Sequence, residues 1–217
     1  MKSVVVFSGG LDSTVLLYKM RQAGEVVALS VDYGQRHRKE LDAAGVIAKR
    51  AGVKHHVVDL SSLREVMGGS SQTDDNVPVP LGHYAAESMK QTVVPNRNMV
   101  LIAVAVSCAI THKASVVAYA AHGGDHTIYP DCRPEFADAM NKAVSLCDWH
   151  SVRLLRPFMN IDKAALVRSG IELKAPLHLT WSCYCGGDKH CGKCGTCVER
   201  REAFVVAGIT DPTEYAK

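Results

Sequence analysis

The stretch Val4-Val5-Val6-Phe7-Ser8-Gly9-Gly10-Leu11-Asp12-Ser13 constrains this chain more than any other part of it. It joins a run of β-branched residues to a turn of hydroxyls and glycines, and then to a helical pattern over residues 13–22. Two adjacent glycines reach backbone angles that residues with a Cβ avoid, so the amides of the turn can converge on one point. Ser8 and Ser13 add hydroxyl donors, and the following helix aims its positive N-terminal end at the same place. Strand, turn and helix therefore make an anion site. No Gly-Lys-Ser/Thr follows, so the turn is not a Walker A loop and brings no lysine of its own.

Beyond the turn, apolar runs alternate with segments of helical period. Strands are predicted at 3–7, 26–32, 55–59, 115–121 and 152–155, and helices at 13–22, 39–50, 99–112, 134–146 and 163–168. This order makes an α/β fold, a parallel sheet with helices on both faces. In such sheets ligands gather at the carboxyl ends of the strands. The Ser8–Ser13 turn, Asp32-Tyr33-Gly34 and the segment after Ala121 all fall there, which predicts one shared pocket. Between residues 61 and 95 the pattern breaks down, leaving only a weak helical stretch near 84–90; a lid and a surface excursion are both open readings.

The chain has 217 residues, enough for one domain with a small appendage. Its 25 Lys+Arg against 22 Asp+Glu give a net charge of +3, with no run of basic residues, which argues against a dedicated nucleic-acid binder. No apolar run approaches the roughly 20 residues of a membrane span, and the N-terminus enters a strand without a signal pattern, so a cytoplasmic protein is expected. Of eight cysteines, five crowd into residues 183–197 while Cys108, Cys132 and Cys147 stand apart. That distribution suits a metal site in a reducing compartment better than disulfides. Cys191, Cys194 and Cys197 sit in a C-x-x-C-x-x-C knuckle and Cys183 arrives from the preceding segment, which closes a four-thiolate zinc shell. A full shell leaves no position for water, so the zinc is expected to be structural. Cys185 and His190 are rival ligands.

Three further loops carry chemistry. Asp32-Tyr33-Gly34-Gln35-Arg36-His37 sets two cations, an amide and an aromatic at the sheet's carboxyl edge, and an ordinary charged surface loop would read the same way. Pro95-Asn96-Arg97-Asn98 offers a phosphate or sugar contact, or merely a helix cap. Tyr129-Pro130-Asp131-Cys132-Arg133-Pro134-Glu135-Phe136 holds carboxylates and a guanidinium within five positions. That set suits a heterocycle with both donor and acceptor edges, although Asp131 and Glu135 also fit a plain helix start.

Ser8-Gly-Gly-Leu-Asp-Ser13 resembles the pyrophosphate loop of the N-type ATP pyrophosphatases, which have the adenine nucleotide alpha-hydrolase-like fold. With Asp32–His37, Pro95–Asn98, Tyr129–Phe136, Thr180-Trp-Ser-Cys-Tyr184, the cysteine knuckle and Asp211-Pro-Thr-Glu-Tyr215, the chain over nearly its whole length resembles the 7-cyano-7-deazaguanine synthase family. It departs from the family's usual pattern in having a cysteine at 185. The resemblance implies a nucleotide-binding domain over residues 1–175 and a zinc-binding segment over 176–217 packed on it. It implies that ATP binds at Ser8, Gly9, Gly10, Leu11, Asp12 and Ser13 with Mg2+ beside it. Asp12, Arg97 and Lys163 are then the expected catalytic groups, and Arg36, His37, Asp131, Arg133 and Glu135 read the deazapurine. It also implies a homodimer, and 217 residues leave no room for a glutaminase domain, so free ammonia is the expected nitrogen source.

Overall fold

Alternation along the first two strands decides how the layers form. In a computed structural model, which describes residues 1–84 and 87–216, β1 (Lys2–Val6) points Val5 to one side and Val4 to the other. On β2 (Glu25–Asp32), Ala28 joins Val5 while Val27 and Leu29 join Val4. Each strand is thus apolar on both faces and has to be covered twice. On the Val5 side lie α1 (Leu11–Ala23), α2 (Lys39–Ala51), α5 (Lys163–Glu172) and α6 (Gly195–Ala207), through Val15, Leu16, Ile47, Leu166 and Phe204. On the Val4 side lie α3 (Arg97–Thr111) and α4 (Pro134–Val144), through Ile102, Val106 and Ala137.

With β3 (Lys54–Asp59), β4 (Val116–Ala118) and β5 (Arg153–Leu155) the sheet has five parallel strands in the order β3-β2-β1-β4-β5. The direction of winding reverses between β1 and β4, so the loops after those two strands diverge and leave a crevice at the carboxyl edge. The α/β fold with a parallel sheet is as the sequence predicts.

Several boundaries differ from prediction. Helix α1 begins at Leu11, two residues earlier than expected, because Gly10 in extended geometry can serve as its cap. Strand β4 is confined to Val116–Ala118, with the chain leaving the sheet toward the crevice at Tyr119. Helix α6 was not foreseen at all: its Glu199-Arg200-Arg201-Glu202 run hides the apolar face made by Ala203 and Phe204.

Among the described residues, the helical elements of the 61–95 segment are the short 3-10 turns Ser61–Glu65 and Glu87–Thr92. Residues 85 and 86 of the weak helical pattern near 84–90 lie outside the described residues. Ser70, Ser71, Gln72 and Thr73 are buried, and Leu81 bridges to Cys194, with the Gly82 amide donating to Lys193 O at 2.9 Å. The segment is therefore seated against the body of the protein and against the cysteine knuckle.

Candidate active site and metal centre

The crevice between the ends of β1 and β4 opens into a cavity of about 230 Å3. Ser8, Gly10, Leu11, Asp12 and Ser13 form its floor. Gly9 has φ 84°, and a Cβ there would lie 2.2 Å from the Glu40 carbonyl oxygen, so only glycine lets α2 pack onto the turn. The Ser8 and Ser13 hydroxyls are 3.1 Å apart, and the Gly10 amide donates to Ser8 Oγ at 3.2 Å. From above, the Trp181 amide donates to Gly9 O at 3.1 Å, tying the 177–184 strap across the turn.

One wall is a charge cluster built by four separate elements. Lys163 Nζ, at the start of α5, donates to Asp12 Oδ2 at 2.6 Å and pairs with Glu199 of α6 at 3.1 Å. His122, just after β4, is fully buried. Its Nδ1 accepts the Gly124 amide, which leaves Nε2 facing Asp125, Glu199 and Asp12 at 3.4, 3.6 and 3.7 Å. Burial alone would push the Lys163 ammonium down, but Asp12, Glu199 and Asp125 outweigh it and hold the group above its ordinary value. Burial likewise pushes Asp12 up, and Lys163 and His122 outweigh it, so this carboxyl lies below its usual value. Glu199 goes the other way: burial, helped by Asp12 and Asp125, raises it despite Lys163. Asp12 Oδ1 is buried with no partner among the described residues. An unpaired carboxylate oxygen beside two further carboxylates suits a hard divalent cation such as Mg2+.

A second wall is aromatic, with Tyr33, Tyr129 and Tyr184 around Arg97, while Tyr84 packs beside Tyr129 and donates to Asp125 Oδ1 at 3.2 Å. The Arg97 guanidinium lies 6.0 Å from the Tyr129 ring centre. Burial holds Tyr33 up at about 12, so its hydroxyl stays a neutral donor. A flat heterocycle fits between such rings, with one cation to meet an acidic substituent.

Asp12 and Lys163 are thus brought into contact, and Arg97 and His37 face the same cavity. The other expected substrate contacts stand elsewhere. Arg36 donates to Val77 O at 3.1 Å and pairs with Asp75, which fastens the 61–95 segment. Asp131 Oδ2 accepts the Asn98 amide at 3.0 Å, making it a brace for the start of α3. Arg133 and Glu135 are exposed, Arg133 donating to His126 O, and neither lines the cavity. Their tight spacing put them at the first turn of α4, which points away from the crevice. Sequence reasoning missed His122, Asp125, Glu199 and Glu40. The Gly123-Gly124 pair after β4 signalled the first two, whereas Glu199 and Glu40 sat in charged runs that read as surface.

The metal centre lies beside this cavity. The Sγ atoms of Cys183, Cys191, Cys194 and Cys197 all fall within 4.8 Å of one another, and Cys191 to Cys197 is 3.9 Å. Zinc with Zn–S bonds of about 2.3 Å requires sulfur separations of about 3.8 Å, so the four thiolates fit it. Backbone amides add support, from Cys191 to Cys183 Sγ at 3.3 Å and from Cys194 to Cys191 Sγ at 3.2 Å. His190 Nε2 is engaged with the Ser182 amide at 3.1 Å and its ring stacks on Trp181, while Cys185 stands outside the cluster. Cys194 is the N-cap residue of α6, so a metal held by the four thiolates would fix the start of the helix that carries Glu199.

Residues 2–208 match the family model described as Queuosine biosynthesis protein QueC. A relative described as 7-cyano-7-deazaguanine synthase, from Rhizobium etli, is 55% identical over 218 residues, covering 99% of this chain and 92% of its own. Among solved structures, a predicted subunit of tRNA methyltransferase from Methanocaldococcus jannaschii superposes with a TM-score of 0.50 at 17% identity, over 79% of this chain and 75% of that one. An NH3-dependent NAD synthetase from Campylobacter jejuni superposes with a TM-score of 0.50 at 9% identity, over 82% and 66%. These last two likenesses are of fold.

Proposed function

This chain belongs to the queuosine biosynthesis protein QueC family, whose curated relatives are 7-cyano-7-deazaguanine synthases, and from that membership we propose that it makes 7-cyano-7-deazaguanine from 7-carboxy-7-deazaguanine, ammonia and ATP. The observation that carries the reading is the cavity in which the Ser8–Ser13 turn faces Lys163 and Asp12 together with Arg97 and the tyrosines.

The substrate carboxylate attacks the α-phosphorus of ATP, forming a P–O bond as pyrophosphate leaves. Amides and hydroxyls of Ser8, Gly9, Gly10, Leu11 and Ser13 hold the departing pyrophosphate, and Lys163 offsets the charge that develops on it. Ammonia then displaces AMP from the adenylated carboxylate to give the amide. A second ATP adenylates the amide oxygen as a second pyrophosphate leaves and one N–H proton is lost, and departure of AMP with the remaining N–H proton leaves the nitrile. Asp12, with Asp125 and Glu199 near it, would hold Mg2+, whose charge helps neutralise the triphosphate. Arg97 meets the carboxylate of the deazapurine and the tyrosines flank its ring, with His37 at the rim. The four thiolates would hold a structural zinc over the 176–217 segment. The same reading has the enzyme act in the cytoplasm as a homodimer on free ammonia.

The test is to incubate the protein with ATP, Mg2+, ammonium and 7-carboxy-7-deazaguanine and to weigh the products. The nitrile with AMP and pyrophosphate is expected. An amide as final product, or ATP turnover indifferent to the deazapurine, would overturn the proposal.

A further inference from the structure

Four carboxylates line the cavity: Asp12, Glu40, Asp125 and Glu199. Three of them gather around Lys163 and His122. Glu40 stands apart in the first turn of α2, and among the described residues its one side-chain hydrogen bond is from Gln35 Nε2 to Oε1 at 3.4 Å. Its backbone is pinned to the anion turn, since its carbonyl oxygen occupies the space that a Cβ on Gly9 would need. Glu40 therefore projects into the cavity from directly beside the phosphate grip, with no salt bridge to it among the described residues. The charged or titratable groups that face it are Arg97 from α3 and Tyr33 from the end of β2.

We propose that Glu40 is the base that takes a proton from the nitrogen nucleophile in the amide-forming step. This rests on the reading above, in which the cavity holds an adenylated carboxylate. Ammonium is the stable form of ammonia near neutral pH, and it is not a nucleophile. It also has to enter a cavity that presents Arg97 and Lys163. A carboxylate that is engaged in no salt bridge among the described residues attracts it there. One N–H bond of ammonium breaks and its proton goes to a Glu40 carboxylate oxygen. The nitrogen pair so freed forms the C–N bond, and the C–O bond to AMP breaks with its electrons on the phosphate oxygen. The cationic nitrogen of the adduct gives its extra proton to water, and Glu40 returns its own to solvent.

Burial holds the Glu40 carboxyl up at about 7, Arg97 and Gln35 countering only part of the rise. A base with that affinity is half ionised where ammonium must be deprotonated. The three carboxylates around Lys163 are less suited, because each already faces that ammonium or His122 through an ion-pair contact.

The experiment separates the two half-reactions in Glu40→Gln and Glu40→Asp. Exchange of labelled pyrophosphate into ATP, dependent on 7-carboxy-7-deazaguanine, reads adenylation; amide formation with ammonium, and with hydroxylamine, reads aminolysis. In Glu40→Gln, ammonium-dependent amide formation at pH 7 is expected to fall about 100-fold or more while exchange persists. Hydroxylamine, unprotonated at this pH, should restore trapping, and the acid limb near pH 7 should be missing from the ammonium profile. Glu40→Asp should recover part of the rate. Ammonium-dependent rates and pH profile like wild type in Glu40→Gln would overturn the proposal, as would loss of exchange in a folded variant. Absence of exchange in the wild type would instead overturn the reading of the cavity on which the proposal rests.

Discussion

Lys163 Nζ lies 2.6 Å from Asp12 Oδ2, a contact between residues 151 positions apart. It fastens the start of α5 to the start of α1 at the point where the sheet's winding reverses, and it leaves Lys163 facing the anion turn. Removing the lysine strands Asp12, Asp125 and Glu199 together out of bulk water. Lys163→Met should therefore cost about 3–5 kcal/mol in a urea melt as well as abolishing adenylation. Adding Glu199→Gln should recover part of that stability but none of the activity, since the cation facing pyrophosphate is still missing.

The two glycines of the turn should fail differently. Gly9 is at φ 84° against the backbone of α2, so Gly9→Ala carries roughly 1–2 kcal/mol of conformational strain plus a clash that only movement of the helix relieves. It should lower Tm. Gly10 has φ −72°, and a Cβ there meets Ser8 Oγ at 3.2 Å, a hydroxyl that can turn aside, and Trp181 O at an ordinary contact distance of 3.6 Å. Gly10→Val should fold but lose ATP binding in calorimetry, because its branches fill the phosphate position.

Zinc should belong to Cys183, Cys191, Cys194 and Cys197 alone. Elemental analysis is expected to find about one zinc per chain in Cys185→Ser and much less in Cys191→Ser. Because Cys194 caps α6, chelation should loosen the helix that carries Glu199 and Arg200. Arg200 is only 1% exposed, and it ties Thr180, Leu177 O and Asp211 together. Activity should therefore fall with metal loss although the metal faces no substrate.

Glu40 gives a pH signature in stability. Its carboxyl is raised from an ordinary value to about 7, so between those limits the folded protein binds more protons than the unfolded one, and stability falls as pH rises. Removing the charge should be favourable above pH 7 and neutral near pH 4. Glu40→Gln should raise stability by about 1–3 kcal/mol at pH 8 and hardly at all at pH 4. Denaturant melts at the two values check this, and a gain of equal size at both would contradict it.

Glu135 is exposed in the first turn of α4, outside the cavity. Glu135→Gln should leave the affinity for 7-carboxy-7-deazaguanine within about twofold, whereas Arg97→Met should weaken it at least tenfold by removing the cation of the aromatic wall. Titration of each variant with that ligand alone decides between them.

The sequence by itself determined whatever depends on neighbours along the chain. Val4-Val5-Val6 running into Ser8-Gly9-Gly10 specifies a strand, a turn and a helix whose amides converge, and the 191–197 spacing sets three thiolates on one knuckle, because both are local geometry. Alternating apolar runs were enough for a parallel sheet covered on both faces. Only the tertiary structure decided which charges meet. Asp131, Arg133 and Glu135 adjoin in sequence, yet the direction of α4 turns two of them to solvent. Asp12, His122, Lys163 and Glu199 come from four distant elements and converge because the winding reverses between β1 and β4. Burial, which raises Glu40 and stakes Lys163 between carboxylates, is a property of the assembled fold, and a charged run such as Glu199-Arg200-Arg201-Glu202 carries no local mark of which members face inward.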